Sequence, residues 1–325
     1  MEPATAIQRP DRQNGHGAGR DALRAQLHGM WAAVAPAWAE HAVYADTRGA
    51  AITAKLLQLS APRPGERVLE LACGAGGVGI AAAELVGPAG EVVLSDVAAE
   101  MTAIATTRAA ALGLDNVRAL TLDLDDLDQP DQAYDVVLCR EGLMFALDPA
   151  RAVAEIRRIL RPGGRVAVAV WGPRARNPWL GLVFDAVSAQ LGTPVPPPGI
   201  PGPFALDDPD RLARLLAGAE LAGIAVTEVP VPLRDASFDA WWTRTSALAG
   251  RWPNGWPSCP RPPRASYGPA SRWRSSPTRH RPGSTSQASA WSPPHTAPSA
   301  TRTGTTASRP ATRGPSWRWP PSRGR

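Results

Sequence analysis

From Arg251 to Arg325 the chain has no Leu, Ile, Val, Phe or Met and no acidic side chain; Pro, Arg, Ser, Thr and Ala take their place. Without aliphatic side chains a segment cannot bury enough apolar surface to offset the entropy of ordering it, and this one's six tryptophans do not make a core. Residues 251–325 therefore read as a disordered tail. The tail carries 13 arginines, and taking them from the chain's formal +6 leaves −7 for residues 1–250, so the body is not a basic protein. No apolar run approaches the length of a membrane span. Residues 1–20 are polar and glycine-rich without a signal-peptide core, so a soluble cytoplasmic protein is expected. Cys73, Cys139 and Cys259 show no metal-ligand spacing and no metal site is expected; Cys73 and Cys139, set in apolar runs, read as small reduced core residues. No internal repeat is visible.

Tryptophan has one codon, TGG, which allows the frame of the tail to be tested from the protein itself. Read one base back, with TCN serine codons, Trp252 to Cys259 becomes an amphipathic helical pattern, and Ser316 to Pro320 becomes an apolar run. The abrupt loss of aliphatic residues after Gly250 favours a shifted frame. The other reading is a genuine Arg/Pro/Trp tail, whose charge and stacking rings would hold single-stranded nucleic acid with steep salt dependence.

The body is patterned throughout. Leu23, Leu27, Met30, Trp31, Val34 and Trp38 recur at helical spacing, and a second helical run ends in Leu56-Leu57. Beyond Ala61-Pro62-Arg63-Pro64-Gly65, short apolar runs alternate with helical ones. Strands are expected at Val68–Ala72, Val92–Ser95, Val117–Leu122, Tyr134–Cys139 and Val166–Trp171. Helices are expected at Gly77–Leu85, Ala99–Leu112 and Pro149–Leu160, the last stopped by Pro162-Gly163-Gly164. Apolar strands separated by helices of this length imply an α/β fold with a doubly wound, mostly parallel sheet. A proline-rich stretch from Gly192 to Pro203 excludes regular structure and reads as a loop or flap; a helix at Pro209–Ala222 and a strand at Ile224–Val231 follow. The expected division is a disordered N-terminus (1–20), a helical cap (21–58), a cofactor-binding core (59–175), an acceptor-side insertion with the start of a terminal hairpin (176–250), and the tail.

The stretch Val68 to Gly79, V-L-E-L-A-C-G-A-G-G-V-G, contains G-x-G-x-x-G between a strand and a helix. With Asp96 twenty residues beyond Gly76, it fits a nicotinamide dinucleotide, whose pyrophosphate sits at the helix N-terminus and whose ribose binds the acid. It fits S-adenosylmethionine equally well. Glu70 separates the two: a carboxylate four residues before Gly74 faces a dianionic pyrophosphate unfavourably and suits a ligand carrying an ammonium and a sulfonium.

The run V-L-E-L-A-C-G-A-G-G resembles motif I of the class I S-adenosylmethionine-dependent methyltransferases. Four later runs resemble their following motifs in order: V-V-L-S-D-V-A-A-E-M, L-T-L-D-L, Y-D-V-V-L-C-R and I-L-R-P-G-G-R-V-A-V. The flanks M-W-A-A-V-A-P-A-W and G-P-F-x-L-x-D are similar to the small-molecule branch that includes quinone-ring C-methyltransferases. The resemblance implies a Rossmann-like methyltransferase fold. It implies Gly74 and Gly76, with Cys73 and Ala75 between and beside them, as the close-approach loop. Glu70 would then order that loop near the methionine ammonium, and Asp96 would bind both ribose hydroxyls. Asp123 would take the adenine amino group, the Leu124 amide the ring, and Val97 and Met101 the apolar contacts. Arg140 would touch the ligand's carboxylate or an acidic acceptor, or form a structural ion pair.

A methylsulfonium is already activated, so the protein's main task is to align a nucleophile and exclude water. For a phenol or ring-carbon acceptor a base is also needed, and Glu141 and His41 are the candidates. Trp31, Met144, Phe145 and Trp171, with Trp179 and the proline loop, would form an apolar pocket for a small aromatic or hydrophobic acceptor. Trp38 and Tyr44 read as packing, Gly79 as helix packing, and Asp125 with Asp126 as solvated charges. By the same resemblance the sheet should end in an antiparallel hairpin whose last strand lies beyond residue 250. No segment there has the aliphatic residues of a strand, so an exposed sheet edge near Ile224–Val231 is expected.

Overall fold

The computed structural model describes residues 14–249 and 284–290, with side chains for 19–249. Helices α1 (Asn14–Glu40) and α2 (Ala42–Ser60) come first. The chain then alternates: β1 (Arg67–Leu71), α3 (Gly77–Val86), β2 (Glu91–Asp96), α4 (Ala99–Ala111), β3 (Val117–Thr121), β4 (Tyr134–Arg140), α5 (Pro149–Ile159) and β5 (Leu160–Trp171). After β5 come α6 (Pro178–Leu191), α7 (Pro209–Gly218), β6 (Ala225–Val231), α8 (Phe238–Leu248) and β7 (Ser284–Ala290).

The sheet order is β3-β2-β1-β4-β5-β7-β6. Strands β1 to β5 are parallel, and β7 runs antiparallel to both β5 and β6. Alternate residues of each strand enter opposite layers. Leu69, Leu71, Val93, Val137 and Cys139 pack with α5, α6 and α7, while Val68, Val92, Leu94, Val136 and Leu138 pack with α2, α3 and α4. Burial on both faces is why these strands read as unbroken apolar runs. Each such Leu or Val, taken fully out of water, contributes about 1.5–3 kcal/mol.

Local chemistry sets the helix starts. Pro149 follows the N-cap Asp148, whose side chain accepts the Arg151 amide, and Pro209 follows Asp208, which accepts the Asp210 and Arg211 amides. The α5 helix ends at Ile159, and Pro162-Gly163-Gly164 lies inside β5 rather than stopping the helix, beside a shift in pairing register between Tyr134 and Val136. Residues 192–208 contain neither helix nor strand. Helices α6 and α8 were not anticipated.

The expectation that no segment beyond residue 250 could form the last strand is corrected by β7, while β6 remains the edge strand of the sheet. Residues 284–290, S-T-S-Q-A-S-A, pair with Ala167–Trp171 on one side and with all of β6 on the other. A strand between two existing strands is held by main-chain hydrogen bonds, which require no aliphatic side chain. These seven residues fall within the expected tail; for the remainder of the tail, for Cys259 and for residues 1–13 the expectations lie outside the described residues. Among the described residues no helix is long and apolar enough to cross a membrane.

Candidate active site

The order of strands reverses between β1 and β4, and the carboxyl ends of β1, β2, β4 and β5 open there into one cavity. Leaving β1, the chain turns into α3 through Ala72 (φ 51°), Gly74 (φ 53°) and Gly76 (φ 83°), all left-handed. The two glycines serve different purposes. A Cβ on Gly74 would face the cavity, its nearest neighbour being Trp38 at 3.9 Å, whereas a Cβ on Gly76 would lie 2.9 Å from Ala105 Cβ and 3.1 Å from Leu94. Gly74 leaves room over the loop; Gly76 lets α3 pack on α4 and β2. A Cβ on Gly79 would collide with Leu94 and approach Glu70, so the helix-packing expectation for Gly79 holds.

Two carboxylates hold the loop. Glu70, 1% exposed, accepts the Gly79 amide at 2.7 Å. Its burial raises its pKa to about 7, against the opposing pull of the Arg140 guanidinium and the α3 amides. Asp96, at the end of β2, accepts the Gly74 amide at 2.9 Å and the Ala98 amide at 3.1 Å, and burial also raises its pKa. Burial likewise pushes the Cys73 thiol up, and Cys139 to about 12, so both are inert packing thiols.

Helix α1 lies across the cavity, packed through Val34 and Ala35 on Ala98 and Met101. Its Arg24 Nε and His28 Nε2 stand 2.9 and 3.2 Å from Asp123, whose other oxygen accepts the Asp125 amide. Asp125 is corrected from solvated to buried: it accepts the Asp148 amide, and burial raises its pKa. Asp126 is exposed. Arg140, in the cavity wall, donates to Thr53 at 2.8 Å and stands 3.6 Å from Asp46. Asp46 is in turn held by Arg108, which also donates to the Ala75 carbonyl.

At the β4 and β5 ends the wall becomes apolar. Trp31 meets Phe145 edge-on at 5.0 Å, Trp171 lies 5.0 Å from Trp179, and Met144 is buried beside them. Glu141 (φ 58°) is ion-paired to Arg48 at 2.6 Å.

Of the site residues expected from sequence, only Gly76 and His41 fall outside the cavity wall. His41 sits at the α1–α2 junction, its carbonyl accepting the Ala45 amide, and is not among the residues that line the cavity. Arg24, His28, Asp46 and Arg48 line the cavity but were missed. The available signal was the i, i+4 spacing of Arg24 and His28, which puts two polar groups on one side of the helix.

Residues 62–177 match a family model described as a methyltransferase domain. The matched stretch runs from just before β1 to just after β5. A ubiquinone/menaquinone biosynthesis C-methyltransferase of Ectopseudomonas mendocina (strain ymp) is 37% identical over 133 residues, covering 41% of this chain and 52% of that protein. One of the same name from Stutzerimonas stutzeri (strain A1501) is 35% identical over 136 residues, covering 42% and 53%. The chain thus spans about half the length of the curated relatives it matches. A solved S-adenosylmethionine-dependent methyltransferase of Aquifex aeolicus aligns with a TM-score of 0.42 at 23% identity, covering 55% of this chain and 83% of that one. The glycine loop, Glu70, Asp96 and Asp123 all fall within the matched residues.

Proposed function

We propose that the chain moves a methyl group from S-adenosylmethionine to a small aromatic or otherwise hydrophobic acceptor, at carbon or oxygen. One observation carries this reading against the hydride-transfer alternative: the Glu70 carboxylate occupies the amide-rich first turn of α3, where a dinucleotide's pyrophosphate would sit. A phosphate charge brought to about 4 Å from an ionised Glu70 meets roughly 4 kcal/mol of repulsion at an effective dielectric of 20, and an ammonium gains as much.

The residues suit the cofactor. Each carboxylate oxygen of Asp96 accepts one amide and has a further lone pair for a ribose hydroxyl. Gly74 leaves the loop open to the ligand, Val97 and Met101 flank the adenosine position, and Asp123 with the Leu124 amide takes the adenine edge. When bound, the cofactor supplies an electrophilic methyl group on a positively charged sulfur. The chain's own contribution is to orient both partners and exclude water, with α1 across the opening and the Trp31, Met144, Phe145 and Trp171 wall around the acceptor. The two curated relatives act, by name, in quinone biosynthesis, which agrees with an aromatic acceptor.

Calorimetry with S-adenosylmethionine and with a nicotinamide dinucleotide tests the reading; binding of the dinucleotide alone would overturn it. Incubation with labelled methyl donor and a cell extract then identifies the acceptor by the metabolite that becomes labelled.

A further inference from the structure

The acceptor end of the cavity holds a cation that the reading above does not use. Resting on that reading, we propose that Arg48 is the recognition group for an anionic oxygen carried by the methyl acceptor, with Glu141 as its positioning residue.

Arg48 projects from α2 with its side chain only 15% exposed, and its Nη2 donates to Glu141 at 2.6 Å. Its guanidinium carbon lies 5.8 Å from the centre of the Trp171 ring. Arg48, Glu141, Trp171 and Trp179 all line the cavity. The indole N–H groups of Trp171 and Trp179 are each buried without a hydrogen-bond partner among the described residues. Two indole donors without a partner among the described residues thus stand on the same wall as the guanidinium. A guanidinium has five N–H donors, of which the bond to Glu141 uses one, and two indole donors stand on neighbouring side chains. A buried donor left unpaired costs about 1–3 kcal/mol, which an oxygen arriving with a ligand removes.

The planar fork of a guanidinium matches a carboxylate or a phenolate and keeps its proton at any working pH, so it selects the ionised form of the ligand. Glu141 balances the cation in the free protein, which keeps a charge in this half-dry position tolerable, and fixes the plane of the fork. A phenol bound there gives its O–H proton to solvent and keeps the electron pair on oxygen, and the ring carbons conjugated to that oxygen become nucleophilic. No oxidant or further reactant is needed. A carboxylate would be held by the same group without that activation.

The test uses the full chain and three probes of similar shape: 4-nitrophenol at pH values above and below its own pKa, 4-nitrobenzoate, and neutral 4-nitroanisole. Binding is read by equilibrium dialysis and by the absorbance of the nitrophenolate. The wild-type chain is expected to bind at least one anionic probe about 10-fold or more tightly than 4-nitroanisole. Whether the nitrophenolate or the benzoate binds better separates the two sources of the oxyanion. Arg48→Met should abolish the preference and Arg48→Lys should keep part of it. Glu141→Gln should strengthen it several-fold by removing the competing carboxylate, a gain that a merely structural pair would not produce. Equal binding of anionic and neutral probes by the wild type, or an undiminished preference in both Arg48 variants, would overturn the proposal. Calorimetry with S-adenosylmethionine alone, unchanged within about twofold in the Arg48 variants, keeps the two questions apart. If no protein binds the cofactor, the methyltransferase reading fails while the probes still judge Arg48.

Discussion

Replacing Glu70 with Gln should change how the stability of the ligand-free protein depends on pH. An unfolded glutamate titrates at 4.5, while burial raises Glu70 in the folded state to about 7. The folded state therefore keeps a proton that the unfolded state has already released, and stability falls as pH rises between these values, levelling off above the upper one. The gap corresponds to roughly 3 kcal/mol. Glutamine presents the same amide-accepting oxygen to Gly79 at 2.7 Å but cannot ionise, so Glu70→Gln should be the more stable protein at pH 8 and lose that advantage towards pH 4.5. Asp96 and Asp125, also raised by burial, give slopes of the same sign, but they are present in both proteins and cancel in the difference. The assay is urea unfolding of both proteins across this pH range without cofactor. Parallel stability profiles would refute the reasoning, because they would mean that Glu70 ionises in the folded protein as readily as in the unfolded one.

The same carboxylate predicts that affinity for S-adenosylmethionine rises with pH through about 7 and that this rise is lost in Glu70→Gln, as calorimetry at several pH values would show. Asp96→Asn should weaken cofactor binding about tenfold or more, since one acceptor oxygen becomes a donor facing the ribose position; unchanged affinity would remove Asp96 from the site. Gly74→Ala and Gly76→Ala should separate: both pay about 1 kcal/mol for a left-handed residue. The first should chiefly cost cofactor affinity, and the second a further 1–3 kcal/mol of stability from overpacking on Ala105 and Leu94. Ala72, left-handed without being glycine, is a site of stored strain, and Ala72→Gly should raise stability by up to about 1 kcal/mol in a denaturant melt.

The parallel sheet, its helices and the carboxylates at the ends of β1 and β2 were legible in the sequence because each is written locally. A strand buried on both faces must be apolar at every position, a helix between two layers must be apolar on one side, and a loop that turns a strand into a helix beneath a ligand needs glycine at set positions. The helix starts at Asp148-Pro149 and Asp208-Pro209 are likewise set by residues in contact along the chain. Nothing local told which wall of the cavity Arg24, His28, Asp46 and Arg48 would face. Charged residues on two helices acquire that role only when the helices pack across the ends of distant strands, bringing Arg24 to Asp123 and Arg48 to Glu141. Strand β7 shows the same division most clearly, since S-T-S-Q-A-S-A carries no apolar periodicity and becomes a strand only through main-chain hydrogen bonds to β5 and β6. Composition and period determined which segments fold as sheet and helix and where the loop carboxylates stand. The partners of each helix face and of the last strand were decided by tertiary packing, because ion pairs and strand pairing are made between residues far apart in the chain.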